Sequence, residues 1–198
     1  MLVAALTLCA GLFGGGSNQE VPDGMGDSVL SGSYYVQIDI EDYGIITAEL
    51  NADTAPITVA NFLKLVDERF YDGLTFHRII SGFMIQGGDP NGNGTGGSAE
   101  KITGEFAANG VKNDLKHTRG VLSMARSQSY NSASSQFFIM HEDAPHLDGQ
   151  YAAFGKVLSG MDVVDAICKN TPVQDYNGTV AKADQPVIAS IVRIEKPE

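Results

Sequence analysis

The stretch Phe76-His77-Arg78-Ile79-Ile80-Ser81-Gly82-Phe83-Met84-Ile85-Gln86-Gly87-Gly88-Asp89 decides how this chain reads. Its pattern predicts two short strands joined at Ser81-Gly82. Phe76, Arg78 and Ile80 alternate with His77 and Ile79, and Phe83 and Ile85 alternate with Met84 and Gln86. An arginine, large apolar side chains and an amide therefore come together on neighbouring strands. A guanidinium offers five donors in a fixed fork and no acceptor. On so apolar a strand it is costly unless it faces a groove or a partner. A core strand with one arginine turned to solvent is the other reading, and these residues alone leave both open.

Around this centre the chain alternates in the same way. Val36, Ile38 and Ile40, then Ile46, Ala48 and Leu50, predict a hairpin closed by Asp42-Tyr43-Gly44. Pro56 opens a helix, and Val59, Phe62, Leu63 and Val66 give it one apolar stripe. Further strands are expected at Val121 to Ala125, Gln136 to His141, Ala152 to Leu158 and Val187 to Ile194. A second helix follows Gly160, with Met161, Val164 and Cys168 on its apolar side. Thr171 to Gln185 reads as a polar loop. Eight strands and two helices in this order predict a mainly β protein, a closed eight-stranded antiparallel barrel.

The 198 residues suit one domain plus a tail. With 23 glycines and only 19% charged residues, a loop-rich β protein fits better than a helical bundle. The net charge of −11 argues against nucleic acid as the main partner, since phosphate binding needs clustered Lys and Arg. Cys9 and Cys168 show no metal or redox spacing.

Residues 1–33 differ from the rest. Leu2 to Phe13 is apolar, too short to span a bilayer, and of the length of a signal-peptide core. No Lys or Arg precedes Lys64, and Leu6-Thr7-Leu8 ahead of Cys9 is a poor lipoprotein site. Gly14 to Gln19 reads as a flexible linker and residues 17–32 as a spacer. An exported or membrane-anchored protein is expected in preference to a cytoplasmic one, with the folded domain over 34–197.

Two patterns invite a metal. Asp89, Asn91, Asn93, Gly94 and Glu100 match the calcium-loop spacing, but that loop needs a helix on each side. A strand, two glycines and Pro90 stand here, so a turn-rich surface loop is expected. His141 and His146 with Glu142 and Asp143 read as a chance cluster in a loop.

The stretch Phe76 to Asp89 is similar to the signature of the cyclophilins, the peptidyl-prolyl cis-trans isomerases of the cyclosporin-binding family. Leu115-Lys116-His117-Thr118, Gly120 to Ala125, Ser135-Gln136-Phe137-Phe138-Ile139, Leu147-Asp148-Gly149 and Phe154-Gly155-Lys156-Val157 agree in order and spacing. The resemblance runs from about Tyr34 to Lys196. Ala125-Arg126-Ser127-Gln128 and His146 to Tyr151 resemble the bacterial branch. The same barrel with two capping helices is implied.

The resemblance also implies roles. Arg78, Phe83, Gln86 and Phe138 would carry catalysis. Met84, Ala125, Arg126, Gln136, Phe137, His146, Leu147 and Tyr151 would contact the substrate. Phe83, Met84, Phe138 and Leu147 would line a proline pocket, with Gln86 orienting Arg78 and backbone near Ala125 and Arg126 pairing with the peptide. His146 stands where many eukaryotic members carry tryptophan, so weak cyclosporin binding is implied. Tyr151 stands where they carry histidine, and Arg126 replaces an asparagine. His77 reads as packing.

Rotation about an X-Pro bond makes and breaks no covalent bond. It needs no nucleophile, metal or cofactor, and none is expected here. It needs a pocket for the ring and a donor that favours the twisted amide. Proline-containing peptides and unfolded proteins are the implied partners, with a monomer as the expected state. A non-catalytic proline-binding module is the alternative. A lipocalin-like carrier would demand a hollow barrel, against which the large apolar residues argue.

Overall fold

The computed structural model describes residues 30–198, so the apolar run, Cys9 and most of the spacer lie outside it. The eight strands are β1 Ser33–Ile40, β2 Gly44–Asn51, β3 Thr75–Ile80, β4 Met84–Asp89, β5 Val121–Met124, β6 Phe137–Met140, β7 Ala153–Ser159 and β8 Ile188–Ile194. The helices are α1 Pro56–Asp67 and α2 Met161–Asn170. The strands form one antiparallel sheet in the order β3-β4-β6-β5-β7-β2-β1-β8.

The ladder does not close into a barrel, which corrects the expectation. Its end strands, β3 and β8, share no ladder, and β3 meets the start of β8 through the bridge Thr75↔Val187. Beyond that point the free edge of β3 is taken by the polar loop. Ile79 donates to the Gly178 carbonyl at 2.8 Å and Val180 to the His77 carbonyl at 3.0 Å. Gly178 lies in the left-handed region, and a Cβ there would collide with the Ile79 carbonyl. The result is a half-barrel with two helices.

The half-barrel is filled, not hollow. Phe62, Tyr71, Phe76, Phe106, Phe137 and Phe154 are fully buried inside it, which excludes a carrier cavity. The α1 stripe of Val59, Phe62, Leu63 and Val66 lies in this core. The N-terminus of α1 is held from a distance. The Glu105 carboxylate accepts from the Ile57 amide at 3.0 Å and from the Thr58 amide at 2.7 Å, where the helix dipole favours a negative charge.

Strict alternation separates two apolar layers. Ile79, Ile85, Ile139 and Leu122 share a cross-strand row facing the interior. Met84, Phe138 and Met140 face the other way, into a second cluster with Val121, Ala144, Leu147 and Ala153. That outer cluster is what the site is built on.

Candidate active site

Register places Arg78 opposite Gln86, Gln86 opposite Phe138, and Phe138 opposite Ser123, one row across four strands. The next row sets Ile80 against Met84 and Met84 against Met140. Directly opposed side chains stand about 5 Å apart, so arginine, amide and phenyl ring are neighbours by construction. Phe83 lies in the turn between β3 and β4, not in a strand. It is half-buried and stacks on His146, with centroids 5.7 Å apart.

Arg78 is held at two points. Its Nε donates to the Asn177 carbonyl at 2.8 Å and its Nη1 to Gln86 Oε1 at 3.2 Å. Gln86 Nε2 donates to Gln136 Oε1 at 2.9 Å, and Gln136 Nε2 donates to the carbonyls of Gly96 at 2.7 Å and Gly94 at 3.1 Å. The chain of bonds runs one way, from guanidinium to backbone carbonyls. It therefore fixes both amide orientations as well as the arginine.

Arg78 and Gln86 border a cleft of about 810 Å³, with Gln136 behind them. One side is apolar: Phe83, Met84, Phe138, Leu147, Tyr151 and Ala125. Phe138 is edge-on to Tyr151, 6.0 Å between centroids. Behind Phe138 lies a buried polar chain. His117 stacks on it at 6.1 Å, with Nδ1 3.1 Å from Asp148 Oδ1 and Nε2 3.0 Å from Ser123 Oγ. Burial pushes the His117 imidazole below the usual histidine range, against the pull of Asp148.

The other side of the cleft is polar. It is built by Asn91–Gly94 and by the loop carrying Gln174, Asn177 and Thr179 to Lys182. The sequence reading gave that loop no part in the site. A usable signal was present in Asp175-Tyr176-Asn177-Gly178-Thr179, an Asx-type turn. Asp175 Oδ1 accepts from the amides of Asn177 at 2.9 Å and Thr179 at 3.1 Å.

Most expected residues converge on the cleft or its immediate support: Arg78, Phe83, Met84, Gln86, Ala125, Arg126, Gln136, Phe138, His146, Leu147 and Tyr151. Phe137 does not. Odd numbering on β6 turns it inward, where it is fully buried edge-on to Phe62 and Tyr71. Arg126 borders the cleft half-exposed, with its charge already engaged by protein groups. Its guanidinium lies 4.6 Å from the Tyr151 ring centroid, 4.9 Å from that of Tyr130 and 5.1 Å from that of Phe106. Its Nε and Nη2 donate to the Gln150 carbonyl. His77, expected as packing, is 5% exposed and borders the cleft. Neither ring nitrogen meets a protein partner. Burial pushes the ring below the usual histidine range, and Arg78 pushes the same way against Asp89.

The metal-like patterns have other uses. Asp89 accepts from the amides of Asn91, Asn93 and Gly94, and Glu100 pairs with Lys64 at 2.8 Å. Their carboxylates are spent on a loop turn and on a helix surface. His141 Nδ1 accepts from the Gly82 amide at 2.8 Å while His146 stacks on Phe83, so the two rings serve different neighbours.

The family model described as cyclophilin type peptidyl-prolyl cis-trans isomerase/CLD matches residues 35–196. Peptidyl-prolyl cis-trans isomerase B of Bacillus subtilis is 50% identical over 123 residues, 62% of this chain and 82% of that protein. A probable peptidyl-prolyl cis-trans isomerase of Brucella suis is 45% identical over 160 residues, 75% of this chain and 78% of that protein. A cyclophilin type isomerase of Cryptosporidium parvum, crystallised in the presence of the dipeptide Ala-Pro, has a similar structure. Its TM-score is 0.72 at 34% identity, covering 82% of this chain and 99% of that one. With its row of Arg78, Gln86 and Phe138 over an apolar cluster, the chain belongs to the cyclophilin-type peptidyl-prolyl cis-trans isomerases.

Proposed function

We propose that the cleft at Arg78 is where this chain accelerates rotation about X-Pro bonds, in proline-containing peptides and unfolded polypeptides. The barrier is the loss of amide resonance, about 18–20 kcal/mol. The proline ring would rest on Phe83, Met84, Phe138 and Leu147, which already pack together and offer the ring dry contact. Arg78 would donate to the prolyl carbonyl, or to the imide nitrogen as it pyramidalises. A twisted amide has a more basic nitrogen and a carbonyl no longer sharing its lone pair. A fixed cation beside it stabilises the twisted state more than the planar one.

The observation that carries this reading is the double tether of Arg78 by Asn177 and Gln86 at the edge of an apolar cluster. A donor fixed in advance does not have to reorganise during rotation. Gln86 and Gln136 would also be within reach of the substrate backbone, and the wall formed by Phe83 and His146 would bind cyclosporin weakly. The test is exchange spectroscopy on an Ala-Pro peptide with the intact protein and with Arg78→Ala. Exchange lost in the variant, with peptide affinity kept, supports catalysis. Binding without any exchange in the wild type leaves a proline-peptide binding module instead.

A further inference from the structure

The loop beside the cleft displays a side chain that isomerisation does not use. Tyr176 is fully exposed and Val173 is half-exposed. The turn that carries Tyr176 is firmly built. Asp175 Oδ2 accepts from the Thr179 hydroxyl at 2.9 Å, in addition to the two amides on its Oδ1, and Gly178 donates to the Asp175 carbonyl at 3.1 Å. The next residues fasten it to β3 through the Asn177 carbonyl on Arg78 and the Gly178 carbonyl on Ile79. A tyrosine on such a base offers a large contact area at little entropic cost.

Tyr176, Val173, Ile80, Ser81 and Cys168 border a notch of about 200 Å³. Ile80 lines the notch and also packs on the cluster of Met84, Phe138 and Leu147 beneath the cleft. It lies two residues from Arg78 on the same face of β3, about 7 Å away at strand spacing. An extended peptide with its proline beside Arg78 would cover that distance in about two residues. The notch is thus within reach of the same polypeptide, although it shares no lining residue with the cleft.

We propose that Tyr176, Val173 and Ile80 form an accessory notch that grips an apolar or aromatic side chain of the client, about two residues from the isomerised proline. This deepens the reading of the cleft and rests on it. Unfolded proteins expose such side chains, so the notch would favour them over short polar X-Pro segments.

The test uses two peptides with the same Ala-Pro centre. One is flanked only by Gly and Ser. The other carries Phe two residues from the proline on each side. Affinity is read by NMR titration and turnover by exchange, with the wild type, Tyr176→Ala and Tyr176→Phe. The wild type is expected to bind the Phe peptide about two- to tenfold more tightly, the range of one aromatic contact. Tyr176→Ala should lose that advantage and Tyr176→Phe should keep it, while the Gly/Ser peptide behaves alike with all three. An advantage that survives Tyr176→Ala, or none in the wild type, overturns the proposal. So does Tyr176-dependent self-association in sedimentation without any peptide preference. Tyr176-dependent preference with no exchange on either peptide would sustain the notch and strike only the catalytic reading.

Discussion

Gln86 Oε1 accepts from Arg78 Nη1 at 3.2 Å, and the two residues are directly opposed across β3 and β4. The amide is thereby a positioning group for the cation, held in its own turn by Gln136. Replacing it with an apolar side chain of similar size, Gln86→Leu, leaves Arg78 with the Asn177 carbonyl and frees its outer end. Hydrogen bonds to charged groups contribute about 1.5–3 kcal/mol. The expected outcome is a fall in kcat of about tenfold or more, with KM for an Ala-Pro peptide changing far less, measured by exchange at saturating and limiting peptide.

Adjacent residues on β6 should behave oppositely. Phe137→Ala opens the interior among Phe62, Tyr71 and Phe76 and is expected to cost about 3–5 kcal/mol of stability. Its milder form, Phe137→Leu, should lower the denaturant midpoint and leave KM nearly unchanged. Phe138→Leu should raise KM and lower kcat, because it alters the floor on which the proline ring rests. Chemical denaturation beside peptide kinetics separates the two.

Acid should weaken the fold before its carboxylates titrate. Burial holds both His77 and His117 below their ordinary range. The unfolded chain, whose histidines titrate near pH 6.5, then binds more protons than the folded one as pH falls below that value. Stability is therefore expected to be level above about pH 6.5 and to decline as pH falls toward the lower folded values. Calorimetry at pH 7.5 and 5.0 should show a drop in Tm that becomes smaller in His77→Gln, which cannot take up the proton.

Arg126 should matter to stability more than to charge preference. Its guanidinium is enclosed by three rings and spent on backbone carbonyls. Lysine cannot reproduce the planar stack or the paired donors. Arg126→Lys is expected to cost about 1 kcal/mol, read as a shift of the urea midpoint. Peptides with Glu or Lys before the proline should keep their relative rates.

Alternation made most of the fold legible. The hairpin Asp42-Tyr43-Gly44, the α1 stripe and all eight strands stand within a residue or two of where the pattern put them. Closure was not legible. Whether β3 pairs with β8 depends on what competes for its edge, and the competitor is Gly178 to Val180, a segment without strand-like periodicity. Of the candidate site, Arg78, Gln86 and Phe138 were named through the resemblance, and the register brings them into one row across the sheet. Phe137 shows the limit, because side-by-side aromatics in one motif face opposite sides of the sheet. The wall from Gln174 to Gln185 was legible only as a polar loop with an Asx-type turn at Asp175, because its place beside the cleft rests on backbone carbonyls, which composition does not announce.

The most direct test of the central claim is cis-trans exchange on a short Ala-Pro peptide, followed by NMR line shape, for the wild type beside Arg78→Ala. Strong acceleration by the wild type, reduced at least a hundredfold in the variant (about 2.7 kcal/mol) with peptide affinity little changed, is the predicted result. Equal acceleration by both proteins would contradict a fixed cation as the source of the rate.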